Sequence, residues 1–469
     1  MVNKIKILSI IFFLVLPLIM APFGLSAHGL FVSAIMLWML ELIPLPITAL
    51  LIPVGASWLQ LLTPSTAFAQ FGNQILFLFL GSFLLAQALE KHHLDKRIAY
   101  WLLSKPYISR SPEYTILVLA FLSWVLSMWI SNTATTAMMI PLCLGISRSL
   151  SPTWSELDKK NLEKRLLFAS AFAASIGGMA TPVGSPPNLL AMEFLNQKGF
   201  SISFFQWMTW GVPLSFVMLI VLIALLKWKF PIKATQTKGI YQSYSKQLHD
   251  LGRMSRTEIF IVLTFLGTVL LWILPDLLQL LSIKNQISSR LPMGAVALLG
   301  AAMLFILPHE EKTILDWEDS KAIDWGTILI FGGGLCLGKI LDSSGLASQI
   351  GTALFSPNLS HLSIGIICIF LGIIVSEFSS NTAATTLLVP IIIAQFGSTN
   401  AIIALTVATA FGASFGFMLP VSTPPNAIIF GTGKIPLREM IKTGFMFDIL
   451  GGVLVALFLL GIYPLLGTI

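Results

Sequence analysis

The chain has 469 residues, 56% of them hydrophobic and 10% charged, with a formal net charge of +7 and a mean hydropathy of +0.87. Ordinary soluble domains are about one-quarter charged, so a water-soluble globular protein is excluded and an all-α polytopic membrane protein is expected. The basic residues gather between apolar stretches, with no basic stripe carrying interleaved aromatics, so the charge reads as membrane topology and no nucleic-acid partner is expected.

A hydrocarbon core about 30 Å thick takes roughly 20 helical residues to cross, and apolar runs of that order recur from Ile5 to Leu465. A transmembrane β-barrel would show shorter, alternating segments. The first run, residues 5–25, follows Lys4 and contains Lys6; lacking a small-residue cleavage site, it predicts a first membrane helix in place of a cleaved leader. Residues 30–52 and 75–88 predict the next two spans.

The pattern then changes. Residues 116–130 are mostly apolar, residues 131–136 read Ser-Asn-Thr-Ala-Thr-Thr, and only residues 137–146 follow before Arg148. Neither arm crosses a bilayer comfortably, which predicts a hairpin of two half-depth helices meeting at a polar tip. Residues 175–188 follow, with Gly177-Gly178 and the run Thr181-Pro182-Val183-Gly184-Ser185-Pro186-Pro187-Asn188. Proline removes an amide donor and crowds the turn before it, while Ser-Pro is a favoured helix start, so Pro182 should end one half-helix and Ser185 begin another. The basic connection 227–256 is placed on the cytoplasmic side, and the acidic stretch 310–324 reads as a solvated loop opening the second half.

The second half repeats the first. Arms at residues 362–375 and 387–394 flank residues 376–386, which carry Ser380-Asn381-Thr382, and residues 413–426 end Pro420-Val421-Ser422-Thr423-Pro424-Pro425-Asn426. Pro141 and Pro390 follow the two tripeptides at the same distance, and residues 331–342 align more loosely with residues 79–90. The tripeptides lie 249 residues apart and the Pro-Pro-Asn runs 238 apart, so the first copy has 11 extra residues between hairpin and break. That connection holds Arg148, Lys159, Lys160, Lys164 and Arg165, whereas its counterpart, residues 395–400, is uncharged. With basic loops kept inside, equivalent loops fall on opposite sides, which predicts inverted repeats.

Hydroxyls and amides this dense at membrane depth are costly unless they line a cavity or bind something. A single Ser or Thr in a membrane helix bonds its own backbone or aids packing; a matched pair of polar runs argues for a ligand site and for transport. Neutral oxygens suit Na+. Helix starts after both tripeptides, after Ser185 and after Thr423 would present free amides and positive dipole ends to an anion. Binding cation and anion together lowers the desolvation penalty of each, a physical basis for coupled flux. Gly177-Gly178 fits close helix packing as well as ligand approach. Glu377, an acidic residue beside the second tip without a counterpart in the first, is either a helper of the cation site or a carboxylate fixed by surrounding hydrogen bonds. Cys143, Cys336 and Cys368 read as inert packing residues, and His92-His93 do not face the same way on a helix. No paired carboxylates or Ser/His/Asp set occupies the apolar segments, so no enzyme is expected; an anion channel would show a charged ring or hydrophobic gate.

Ser131-Asn132-Thr133, Ser380-Asn381-Thr382, Ser185-Pro186-Pro187-Asn188 and Thr423-Pro424-Pro425-Asn426 together resemble the signature of the divalent anion:sodium symporters, the INDY-type dicarboxylate transporters, over residues 30–469. The resemblance implies an inner-membrane homodimer with scaffold and transport domains, an elevator motion, and two sodium sites related by an inverted repeat. Residues 1–110 would be N-terminal helices, mainly scaffold; 111–200 the first transport repeat; 201–310 linking helices, mainly scaffold; 311–440 the second transport repeat; 441–469 a C-terminal helix. One Na+ would be held by Ser127, Ser131, Asn132 and the Gly184 backbone, the other by Ser376, Ser379, Asn381 and the Ser422 backbone. The substrate carboxylates would meet Asn132, Thr133 and Ser185 on one side and Asn381, Thr382 and Thr423 on the other. Thr382 resembles the dicarboxylate carriers, which favours succinate, malate or fumarate over citrate or sulfate. Sodium-independent exchange of dicarboxylates is the nearest alternative and an anion channel a more distant one.

Overall fold

The computed structural model describes residues 4–148, 154–234, 240–283, 290–309, 312–356, 358–396 and 401–466. Lys238 of the basic connection, residues 310–311 at the head of the acidic stretch and residues 397–400 of the uncharged loop lie outside the described residues. The described chain is helical throughout, apart from a two-residue antiparallel pairing of Pro308–His309 with Lys312–Thr313. Seven of its helical stretches are long and apolar enough to cross a membrane: Lys4–Phe23, Pro64–Lys91, Phe204–Lys229, Arg256–Leu280, Trp325–Ser343, His361–Phe378 and Leu437–Gly461.

Helix α1 (Lys4–Met20) is apolar on every side and little covered by protein, with Ile5, Leu8, Ile11 and Phe12 all exposed, the pattern of a helix solvated by lipid. The single span expected at residues 30–52 is instead two helices, α2 (Ser26–Met39) and α3 (Leu45–Trp58). Glu41 takes a left-handed φ of 44°, and Pro44 and Pro46 deny the intervening turn its amide donors, so the apolar run bends where hydropathy alone shows no break. Helices α4 (Pro64–Ala69), α5 (Gln74–Lys91) and α6 (Leu94–Leu103) follow, and α5 contains the span expected at 75–88.

The first polar unit comprises α7 (Pro112–Ser127), α8 (Asn132–Arg148), α9 (Glu156–Gly178) and α10 (Pro186–Asn196). Between the units run α11 (Phe204–Lys229), α12 (Ile240–Asp250), α13 (Arg256–Leu280), α14 (Met293–Ile306), α15 (Trp325–Ser343) and α16 (Leu346–Leu354). The second unit repeats the order with α17 (His361–Phe378), α18 (Asn381–Phe396), α19 (Ile402–Ala413) and α20 (Pro424–Gly431), and α21 (Leu437–Leu466) closes the chain. At about 1.5 Å per residue the 16 and 17 residues of α7 and α8 give arms of roughly 25 Å, and α17, with 18 residues, is itself one of the stretches long enough to cross, so the arms are longer than the half-depth helices expected from the sequence. The expected polar tips, residues 131–136 and 376–386, shrink in both hairpins, because most of their residues join the helical arms.

Within each unit the hairpin packs on the broken helix, α7 on α9 and α17 on α19. Gly177 makes the first contact possible: a Cβ there would stand 2.2 Å from the Trp124 carbonyl oxygen, inside α7's backbone. The units also cross. Helix α8 packs on α20, and α10 packs on α18, so the second arm of each hairpin lies against the second half-helix of the other unit.

The 11 extra residues of the first copy go mostly into α9, which has 23 residues against 12 in α19. Lys159, Lys164 and Arg165 therefore stand on a helix and not in a loop, each paired with a carboxylate: Glu156, Glu439 and Glu113. Arg165 is fully buried and bonds Glu113 through both guanidinium ends, at 2.8 and 2.6 Å, tying α9 to the start of α7. Pairing removes much of the net positive charge on which the opposite-sides argument relied.

Candidate functional site

Each unit brings its two helix interruptions together. Only residues 128–131 separate α7 from α8, and the helix begins within the tripeptide and not after it, because Ser131 caps it: Ala134 N donates to Ser131 Oγ at 3.2 Å. Ser380 caps α18 in the same way, through Ala383 N at 3.1 Å. Asn132 and Asn381 thus occupy the first turn, and their side chains fold back toward the preceding arm. Ser127 Oγ donates to Asn132 Oδ1 at 2.5 Å, and Ser376 Oγ donates to Asn381 Oδ1 at 2.6 Å. Both asparagines also reach the break of their own unit. A Cβ on Gly178 would lie 2.5 Å from Asn132 Oδ1 and 3.0 Å from the Gly184 carbonyl oxygen; one on Gly416 would lie 3.4 Å from Asn381 Oδ1.

The breaks open earlier than the prolines expected to cause them. α9 stops at Gly178 and α19 at Ala413, ahead of Pro182 and Pro420. Thr181 is extended, with φ −125° and ψ 158°, as a residue before proline prefers. Ser185 and Thr423 begin the second half-helices as expected, yet neither side chain makes a capping bond. Ser185 is buried without a hydrogen bond to its own helix, and Thr423 Oγ1 reaches only the Gly416 carbonyl, at 3.4 Å. Pro186-Pro187 and Pro424-Pro425 occupy the first two positions of α10 and α20 and strip those two positions of amides. The starts of α8 and α18 therefore offer more amide donors to an anion than those of α10 and α20, which contribute their dipoles and the two hydroxyls.

The two units differ in what fastens the loop to the tip. In the first, Thr181 Oγ1 donates to the Met128 carbonyl at 2.5 Å and accepts from Gly184 N at 3.1 Å. In the second, Leu419 stands in the place of Thr181 and Glu377 in the place of Met128. The fully buried Glu377 carboxylate accepts from Met418 N at 2.8 Å, Leu419 N at 3.2 Å and Ser422 Oγ at 2.6 Å, and Ser422 Oγ also lies 2.7 Å from the Glu377 carbonyl. Glu377 is thus a carboxylate fixed by hydrogen bonds, the second of the two readings open from sequence. Asn381 Nδ2 adds a bond to the Ser414 carbonyl at 3.1 Å.

The remaining residues singled out from sequence are placed as follows. Ser379 turns its hydroxyl back onto the Val375 carbonyl at 2.8 Å, which leaves its own carbonyl, on an extended backbone, as the oxygen available to an ion. Thr133 is exposed at the first tip, whereas Thr382 is 8% exposed at the second. Sequence reasoning missed Thr181, Asn188, Asn426 and Asp448. Asp448, 2% exposed on α21, faces Glu377 and the Phe417 amide without a hydrogen bond of normal geometry. A lone acid within an apolar span was the signal that could have found it.

Residues 1–469 match the family described as the sodium:sulfate symporter transmembrane region. The sodium-dependent dicarboxylate transporter SdcS of Staphylococcus saprophyticus subsp. saprophyticus is 34% identical, over 98% of this chain and 91% of that protein. SdcS of Staphylococcus aureus strain USA300 is 33% identical with the same coverage. Among solved structures, the YdaH transporter of Alcanivorax borkumensis matches with a TM-score of 0.58 over 88% of this chain and 90% of that one, at 14% identity, a likeness of fold. With seven helices of membrane-crossing length and a family match along its whole length, the chain belongs to the sodium:sulfate symporter family of multi-pass membrane transporters.

Proposed function

We propose that the protein couples Na+ influx to uptake of C4-dicarboxylates such as succinate, malate and fumarate, working as a homodimer by elevator-type alternating access. The observation that carries this reading is the pair of matched notches, each with the same serine-to-asparagine hydrogen bond at the tip and the tip asparagine set against the broken helix of its own unit. One Na+ is assigned to Ser127, Ser131, Asn132 and the Gly184 carbonyl, the other to Ser376, the Ser379 carbonyl, Asn381 and the Ser422 carbonyl. The dianion is assigned to Asn132, Thr133 and Ser185 together with Asn381, Thr382 and Thr423.

None of these side chains is cationic. A dianion entering such a site would meet helix dipoles and neutral donors alone, too little to offset its desolvation. Two bound cations supply the missing charge, so substrate binding depends on Na+. The names of the SdcS relatives, sodium-dependent dicarboxylate transporters, support the same ion and substrate class. Both units together form the moving body in this reading, with residues 111–200 and 311–440 carrying the site and residues 1–110 and 201–310 forming most of the scaffold.

Uptake of labelled succinate into proteoliposomes tests the proposal. Accumulation is expected only with an inward Na+ gradient, with succinate, malate and fumarate competing better than citrate or sulfate. Equal uptake in choline would point to exchange, and stronger competition by sulfate would move the substrate class.

A further inference from the structure

We propose, resting on that reading, that Asn188 and Asn426 are the positioning residues of the two ion sites, each holding its helix break in ligating shape as a double hydrogen-bond donor. Both are fully buried on the first turn of the second half-helix. Asn188 Nδ2 donates to the Gly178 carbonyl at 2.8 Å and to the Thr181 carbonyl at 2.7 Å. Asn426 Nδ2 donates to the Gly416 carbonyl at 2.8 Å and to the Leu419 carbonyl at 3.0 Å. An amide nitrogen has two hydrogens, and here both are used. The orientation of each amide is fixed by its surroundings, since a flipped side chain would set its oxygen against two carbonyl oxygens.

The breaks need donors because their own backbone lacks them. Pro182, Pro186 and Pro187 remove amides from the first break, and Pro420, Pro424 and Pro425 from the second. Gly178 is the last residue of α9, so its carbonyl has no partner further along the helix. The asparagine oxygens show that the arrangement serves donation: Asn188 Oδ1 and Asn426 Oδ1 are buried without a partner among the described residues. Gly178, held by Asn188, lies directly between the Asn132 side chain and the Gly184 carbonyl, two of the proposed Na+ ligands. Gly416, held by Asn426, packs against Asn381 Oδ1 and against the Thr423 and Ser422 side chains, so it borders one proposed ligand and the residue whose carbonyl is another. A shift of either glycine displaces the tip asparagine ligand beside it, Asn132 or Asn381, although neither positioning asparagine is itself a proposed ligand.

The test uses Asn188→Leu and Asn426→Leu, which keep the branched outline and lose the donors, and Asn188→Asp and Asn426→Asp, which keep the shape and set an acceptor against the carbonyls. The readouts are the Na+ dependence of succinate uptake, the succinate KM at saturating Na+, and the melting temperature without Na+. Each variant is expected to raise the Na+ half-saturation by about 10-fold or more, as loss of residues that orient metal ligands does, and to lower the Hill coefficient for Na+. The succinate KM at saturating Na+ stays near the wild-type value, and the Na+-free melting temperature falls by only the few degrees that two lost hydrogen bonds cost. Wild-type Na+ half-saturation in the leucine variants overturns the proposal. So does collapse of the Na+-free melting temperature in both leucine and aspartate variants, because the asparagines would then hold the fold as a whole. Absence of Na+ dependence in the wild-type protein is a different outcome, and it defeats the symport reading itself.

Discussion

The first and second units build the same notch with different fastenings. In both, a serine one turn before the tip bonds the tip asparagine, and an asparagine beyond the break bonds two carbonyls of the broken stretch. The first unit then joins tip to loop through one neutral hydroxyl, Thr181, whereas the second uses the buried Glu377 carboxylate, which collects three donors. The features common to both units are those next to the proposed ions. The difference lies one layer further out, where a charged acceptor makes each bond stronger and its loss more damaging. Equal ligation with unequal support implies two sites of similar chemistry and different tolerance to change.

The largest expected effect tests the common part. Asn132→Ala and Asn381→Ala should each reduce succinate uptake by about 100-fold or more, the loss of a ligand to a buried charge, while the folded protein still reaches the membrane. Wild-type transport by one variant would remove that notch from the site and end the equivalence.

The fastenings come next. Glu377→Gln removes the charge and sets its one NH2 group against either the Met418 or the Leu419 amide, and the loss of one bond to a charged group, about 1.5–3 kcal/mol, predicts a rise in Na+ half-saturation of roughly 10- to 100-fold. Thr181→Val removes one neutral donor, worth about 1 kcal/mol, so roughly a 5-fold rise is expected. A Na+ titration of uptake that ranks Thr181→Val above Glu377→Gln would reverse the assignment of the stronger support to the second unit.

Ser185→Ala and Thr423→Ala sharpen the anion side. Neither hydroxyl caps its helix, so the melting temperature should hold while the succinate KM rises by roughly 5-fold, the value of one hydrogen bond. A stability loss without a KM change would make them structural. Ser379→Ala should have the smallest effect of all, less than about 2-fold in Na+ half-saturation, because its hydroxyl is already bonded to its own helix at Val375. A large loss in that variant would show that the hydroxyl swings to the ion.

The paired tripeptides and Pro-Pro-Asn runs were legible in the sequence because clusters of polar residues and prolines stand out in an apolar background and because they occur twice. The turn between α2 and α3 was hidden for the opposite reason: Pro44 and Pro46 interrupt the helix without interrupting the hydropathy. Helix starts at Asn132 and Asn381 depend on which serine caps them, a matter of backbone geometry. Thr181, Asn188 and Asn426 were in plain view within the motifs, but their bonds go to carbonyls across a break, which residue spacing does not reveal. The consecutive prolines were read as helix starters, and their lack of amides at an anion site emerged only once the helix positions were set.

Cations provide the charge that a site without basic side chains withholds from its dianion. Succinate binding to the purified protein, measured by calorimetry across a Na+ titration with choline replacing Na+ at constant ionic strength, tests it most directly. Succinate affinity should rise steeply with Na+, and succinate should raise Na+ affinity by the same factor. The same succinate affinity in choline and in Na+ would contradict it.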